Sequence, residues 1–268
     1  MRTLAAFFAL ASLLPAPAAA QSPAKQSGVA ERAFGFTFTL DGIDFTYTDA
    51  ETTFTGILVK PAGDGPFPAV IVSHGQGGSA LGYSLAKANE FLAWGVVSIA
   101  PNYTHAAGGS TAPATTGDCP ENVARGLKCL HVLKTLPYVD SQRLALWGHS
   151  KGAYVTIGLA AAAPGEFRAA GMSSGGVIPD AAGTQNAAPT VSEASPTTAP
   201  FIMFHGTGDP VVNPMQSLLF QQTLDAHGVA NLRILYATSE HNLHQVPSIN
   251  ADMLSRFHDW LEDHGVLP

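Results

Sequence analysis

Ser150 stands in "WGHSKGA", with Gly148 and Gly152 two residues to either side. A serine hydroxyl attacks a carbonyl carbon efficiently only when a base takes its proton and a carboxylate orients that base. Downstream lie Asp209 in "HGTGDPVV" and His241 in "SEHNLHQ". Asp209 comes three residues after an apolar run ending at His205-Gly206, and His241 comes just after the next run. Serine at a strand-to-helix turn, then an acid and a base in loops after later strands, is the chain order of a nucleophile elbow and its partners. The chemistry is acyl transfer through a covalent serine intermediate. Such a reaction also needs backbone N–H donors for the developing oxyanion. Lys151, next to the serine, offers one. Gln76, in the glycine-rich "SHGQGG", offers the other, with Gly75, Gly77 and Gly78 allowing close approach. The Lys151 side chain is read as a solvated charge or a contact to an acidic substrate.

Each assignment has a competitor in the same sequence. "GMSSG" fits the G-x-S-x-G pattern around Ser173, but Gly176 and Pro179 follow and no helix can start directly after it. His244 lies three residues past His241 and is the alternative base, placed deeper in the loop. Glu240 could replace Asp209 only from a position adjacent to the base. A metal pair of His241 and His244 lacks a third ligand at suitable spacing, so no metal is expected.

These residues need a scaffold of strand ends. Residues 34–61 alternate apolar and polar side chains around Asp41-Gly42 and Asp49-Ala50, which predicts antiparallel strands with tight turns. From residue 68 the pattern changes. "PAVIVSHG", "VVSIAPNY", "RLALWG", "RAAGMSS", "PFIMFHG" and "NLRILYA" are short apolar strands. Helical segments separate most of them, among them "SALGYSLAKANEFLAWG", a helix from Pro120 toward Leu136, the Ala-rich run after Ser150, "PMQSLLFQQTLDAHG" and a last helix over 248–264. That alternation predicts a largely parallel sheet covered on both faces. Residues 179–200, rich in Ala, Pro, Ser and Thr, read as a mobile insertion, a minimal lid or an inert linker.

Residues 1–20 read as a secretory leader: a basic start at Met1-Arg2, an apolar stretch over 4–14 and small residues up to an expected cleavage after Ala20. That run is too short to span a bilayer. A flexible polar segment over 21–33 follows, then one catalytic domain over 34–268. The expected location is secreted or periplasmic. Without Arg2 the chain keeps 12 basic and 20 acidic residues, a formal charge of −8, which argues against nucleic-acid binding. Cys119 and Cys129 lie ten residues apart on one expected helix, a rise of about 15 Å that no disulfide bridges. They are read as free thiols, unless Gly126 breaks the helix.

With "SHGQGG", "WGHSKGA", "HGTGDPVV" and "SEHNLHQ" in this order, the chain resembles the α/β-hydrolase superfamily over about residues 34–264. The dienelactone-hydrolase-like and bacterial serine carboxylesterase branches are the most similar. The resemblance implies a mostly parallel eight-stranded sheet with helices on both faces and a minimal cap or none. It implies Ser150, His241 and Asp209 as a triad, Gln76 and Lys151 as oxyanion donors, and no cofactor. Dienelactone hydrolases carry a cysteine where this chain has Ser150. The expected activity is hydrolysis of small-molecule or polymeric carboxylic esters. The rival readings are a polyester or cell-wall-polymer esterase or lipase, an amidase or peptidase, and a non-catalytic binding protein on the same fold.

Overall fold

The alternating N-terminal segment forms three strands, β1 (Thr37–Asp41), β2 (Asp44–Thr48) and β3 (Thr53–Val59). Gly42, at φ +63°, supplies the left-handed backbone of the first turn. In the second turn Asp49 Oδ1 accepts hydrogen bonds from the N–H groups of Glu51 and Thr52, both at 2.9 Å. The continuous apolar runs form β4 (Phe67–Ser73), β5 (Val97–Pro101), β6 (Val139–His149), β7 (Ala169–Ser173), β8 (Phe201–Gly206) and β9 (Asn231–Tyr236). The helices are α1 (Leu85–Leu92), preceded by one π-helical turn, α2 (Pro120–Thr135), α3 (Lys151–Ala162), α4 (Val191–Ala194), α5 (Met215–Ala226) and α6 (Pro247–Asp263). This computed structural model describes residues 35–182 and 187–268. The leader expected over 1–20 and the segment 21–33 lie outside the described residues.

All nine strands join one sheet in the order β1-β2-β3-β5-β4-β6-β7-β8-β9. The pairs from β5 to β9 are parallel, and β1, β2 and β3 add antiparallel at one edge. Among the described residues the count is therefore nine, against the eight the resemblance implies. The reason lies in the N-terminal aromatics. Phe36, Phe45, Tyr47 and Phe54 are buried together and continuous with the main core, with Phe36 stacked on Tyr47 at 5.1 Å and Tyr47 on Phe54 at 4.9 Å. Freeing the first strand would expose much of that cluster, at about 1.5–3 kcal/mol for each large side chain.

Each central strand is apolar on both faces. Ala69, Ile71, Leu144, Leu146, Met172 and Met203 join one core layer, which also holds residues of α2, α3 and α5. Their neighbours Val70, Val72, Ala145, Trp147, Ile202 and Phe204 join the other, with residues of α1 and α6. Buried on both sides, these strands read as continuous hydrophobic runs. Gly126 does not break α2. A Cβ there would lie 2.6 Å from the Leu159 methyls, so the glycine lets α2 press closely on α3. Cys119 caps the start of α2, Cys129 is buried within it, and both are free.

The 179–200 segment departs from both the mobile and the inert-linker readings in its described part. Ala187, Ala188, Ala194, Thr197 and Ala199 are buried. Thr190 and Glu193 form a capping box that starts α4, and Asp180 accepts hydrogen bonds from Ser192 N and Oγ at 2.9 Å. Small residues look like linker composition in a sequence, yet they fit where backbone meets backbone. Ile178 and Thr190 bridge in parallel fashion, which ties the start of the segment to the start of α4.

Candidate active site

The strand-to-helix turn after β6 places Ser150 at φ +56° and ψ −124°, a conformation that costs a non-glycine residue energy. Its neighbours hold it there. A Cβ on Gly148 would fall 2.3 Å from the Gly152 carbonyl oxygen, and one on Gly152 would fall 2.1 Å from that of Ser73. Only glycine fits both flanks. The 75–78 loop also packs tightly, since a Cβ on Gly75 would meet the Ser150 Cβ at 3.1 Å.

Ser150 Oγ lies 2.9 Å from His241 Nε2, and His241 Nδ1 lies 2.8 Å from Asp209 Oδ2. The carboxylate sets the tautomer: Nδ1–H donates to Asp209, which leaves Nε2 to accept from the serine hydroxyl. Asp209 is 7% exposed, and burial alone would raise its pKa. Hydrogen bonds from His205, His241 and the backbone N–H groups of Val211 and Val212 outweigh burial and hold the carboxyl well below the usual range. His205, missed in the sequence, approaches the same Oδ2 at 3.3 Å. Its Nε2 also lies 3.0 Å from the Val212 carbonyl, and its Nδ1 lies 3.0 Å from Ser217 Oγ. The signal was present only as a histidine at the end of an apolar strand four residues before the acid.

The competitors occupy other places. Ser173 ends β7, fully buried, and no helix follows it. His244 sits in a 3₁₀ turn with its ring edge-on to Tyr83 and His149, both at 4.8 Å. Its Nδ1 is buried without a hydrogen-bond partner. Glu240 is exposed. Both nitrogens of His241 are engaged by Ser150 and Asp209.

Gln76 lines the same cleft as Ser150 and His241. Its side-chain Nε2 donates to the Ser110 carbonyl at 3.1 Å, which anchors the loop. His105 supports that loop too. Its carbonyl accepts from Gly77 N at 2.9 Å, and its Nε2 lies 3.0 Å from the His74 carbonyl. Lys151 begins α3, where the first N–H groups have no partner within the helix. Its ammonium neither floats free in water nor lines the cleft. Nζ donates to Thr116 Oγ1 at 2.8 Å, and partial burial lowers its pKa.

The cleft measures about 490 Å³ and is lined by the 75–78 loop, Tyr83, His149, Ser150, Val211, His241, Asn242, His244 and Gln245. Its walls carry imidazoles, amides and a phenol. Burial, the dominant cause, pushes His149 down to about 3 and His244 to about 4, so both are neutral near pH 7.

Burial likewise pushes His74 to about 4 and His105 to about 3. Unfolded histidine protonates near pH 6.5. Below that pH the unfolded chain takes up protons that the folded chain refuses at His74, His105 and His149 and, to a lesser degree because it is less buried, at His244. Stability complete above pH 6.5 is therefore lost toward the folded values, by about 2 kcal/mol per imidazole at pH 5. Asp118 runs the other way. Burial, then the charge of Glu193, raises its carboxyl to about 7, so the folded state recovers about 2 kcal/mol between pH 7 and 5. The net expectation is a Tm roughly 10 °C lower at pH 5 than at pH 7, measurable by calorimetry. In Asp118→Asn the fall should be steeper. A level Tm would contradict neutral burial of these histidines.

A strained serine at the head of a helix, in reach of an imidazole held by a buried carboxylate, on a mostly parallel sheet covered on both faces, defines a serine hydrolase of the α/β-hydrolase fold. The Esterase FrsA-like family model matches residues 18–194. The chain belongs to that family of esterases. The matched segment contains Ser150 and ends before Asp209 and His241. Among curated proteins, the chain is 29% identical over 146 residues to "Probable dipeptidyl-aminopeptidase B" of Uncinocarpus reesii, across 47% of this chain and 16% of that protein. It thus spans about a sixth of that relative's length. Two solved structures share the fold at 16% identity. Pyrococcus horikoshii acylaminoacyl peptidase has a TM-score of 0.67 over 86% of this chain and 42% of its own. The acetyl ester-xyloside bifunctional hydrolase of Caldicellulosiruptor lactoaceticus has a TM-score of 0.65 over 81% of this chain and 90% of its own.

Proposed function

We propose that this protein hydrolyses carboxylic esters by serine acyl transfer, with Ser150 as nucleophile, His241 as general base and acid, and Asp209 as the orienting carboxylate. The observation that carries the reading is the hydrogen-bonded series from Ser150 through His241 to Asp209, at 2.9 and 2.8 Å. His241 Nε2 takes the hydroxyl proton as Ser150 Oγ bonds to the ester carbonyl carbon. The negative charge gathers on the carbonyl oxygen, where the N–H groups of Gln76 and Lys151 stabilise it. The intermediate collapses, the C–O bond to the alcohol breaks, and His241 returns the proton to the leaving oxygen. Water deprotonated by His241 then attacks the acyl-enzyme, releasing the acid and restoring Ser150.

The cleft lining favours a small, uncharged ester. Val211 is the one aliphatic side chain in the lining, so a long acyl chain gains little of the roughly 0.8 kcal/mol per buried methylene. Among the described residues the lining offers imidazoles, amides and a phenol, which suit an uncharged ester. With p-nitrophenyl esters, kcat/KM is expected to be highest from acetyl to butyryl and to fall about tenfold or more by decanoyl. Aminoacyl p-nitroanilides should turn over far more slowly. Anilide rates equal to ester rates would support the peptidase reading. Absence of turnover on every ester, with no fluorophosphonate label on Ser150, would support a binding protein.

A further inference from the structure

The second serine motif, "GMSSGG", forms a turn that touches the base loop at two points. Ser174 holds φ +53°, a left-handed conformation that a non-glycine residue rarely adopts. Its hydroxyl donates to the main-chain carbonyl of His241 at 2.7 Å, 67 positions away in sequence. Ser174 N donates to the Phe204 carbonyl at 2.9 Å, which ties the turn to the strand that leads to Asp209. Both Ser173 and Ser174 are fully buried.

The other contact runs through the residue that precedes the nucleophile. His149 Nε2–H donates to Asn242 Oδ1 at 3.0 Å, which leaves Nδ1 to accept from the Ser173 hydroxyl at 3.0 Å. Asn242 follows His241 directly. The main chain of His241 and the side chain of its neighbour are thus held by adjacent serines of one turn. That same turn accepts a hydrogen bond from Ser150 N at the Ser173 carbonyl, 3.0 Å.

We propose that the Ser173 and Ser174 turn is a positioning device for the catalytic base: Ser174 sets the main chain of His241 directly, and Ser173 sets Asn242 through His149. The inference rests on the roles proposed above for Ser150 and His241. The left-handed backbone at Ser174 fits it, because glycine would hold that conformation more cheaply but cannot supply the hydroxyl.

The test uses the full chain with Ser174→Gly, which keeps the backbone conformation and removes the hydroxyl. The expected result is a fall in kcat of roughly 10- to 100-fold, the scale of a base displaced by about 1 Å. KM should stay within about twofold, and fluorophosphonate labelling of Ser150 should slow in parallel with kcat. Rates are taken per folded protein, from the native fraction measured by near-UV circular dichroism. A wild-type kcat and labelling rate per folded molecule would overturn the positioning role. So would a loss confined to KM, which would move Ser174 into substrate binding. If the wild-type protein itself is not labelled at Ser150, the proposed reaction fails, and the positioning role fails with it.

Discussion

Replacing Ser150 with alanine is expected to remove ester hydrolysis, with kcat falling on the order of 10⁶-fold, the scale on which an activated serine and its partners fail as a unit. Ser150 alone has its Oγ 2.9 Å from His241 Nε2, and it alone of the two motif serines precedes a helix. Ser173→Ala should keep most activity, losing about tenfold at most, because its hydroxyl reaches the base loop only through His149 and Asn242. The backbone carbonyl that accepts from Ser150 N survives in both variants. Steady-state kinetics on p-nitrophenyl acetate, beside Tm values for both proteins, provides the comparison. Equal losses in two well-folded variants would withdraw the elbow assignment.

His241→Ala should lower kcat by roughly 10⁴- to 10⁶-fold, because the serine loses the acceptor for its proton. His244→Ala should cost about tenfold or less, mainly in KM. His244 lines the cleft and touches Tyr83 and His149 by ring contact, and neither of its nitrogens is hydrogen-bonded to Ser150 or Asp209. Measuring kcat and KM separately for the two variants decides the assignment. The reverse ranking would transfer the base to His244 and would require the 241–245 loop to rearrange when substrate binds.

Most of the elements were legible as local patterns. Continuous apolar runs marked β4 to β9, and alternation marked β1 to β3, because a side chain's burial follows the period of its own strand. The eight strands expected from the resemblance fall one short of the nine in the described residues. The last helix, expected over 248–264, runs over Pro247–Asp263. The segment 179–200 misled, since its composition is that of a linker. Small residues are equally suited to tight contact, and composition does not distinguish the two.

For the site, the sequence by itself determined the candidates: one serine between glycines at a strand-to-helix turn, one aspartate and one histidine after later strands. Chain order suffices there, because parallel strands carry the residues that follow them to the same edge of the sheet. Only the tertiary structure set His241, and not His244, against Ser150 and Asp209, sent the Lys151 ammonium to Thr116, and joined His205 to Asp209 and Ser174 to His241. These are choices of a few ångströms among side chains on different elements. They depend on which donors and acceptors survive burial together, a condition that no periodicity along a single segment records.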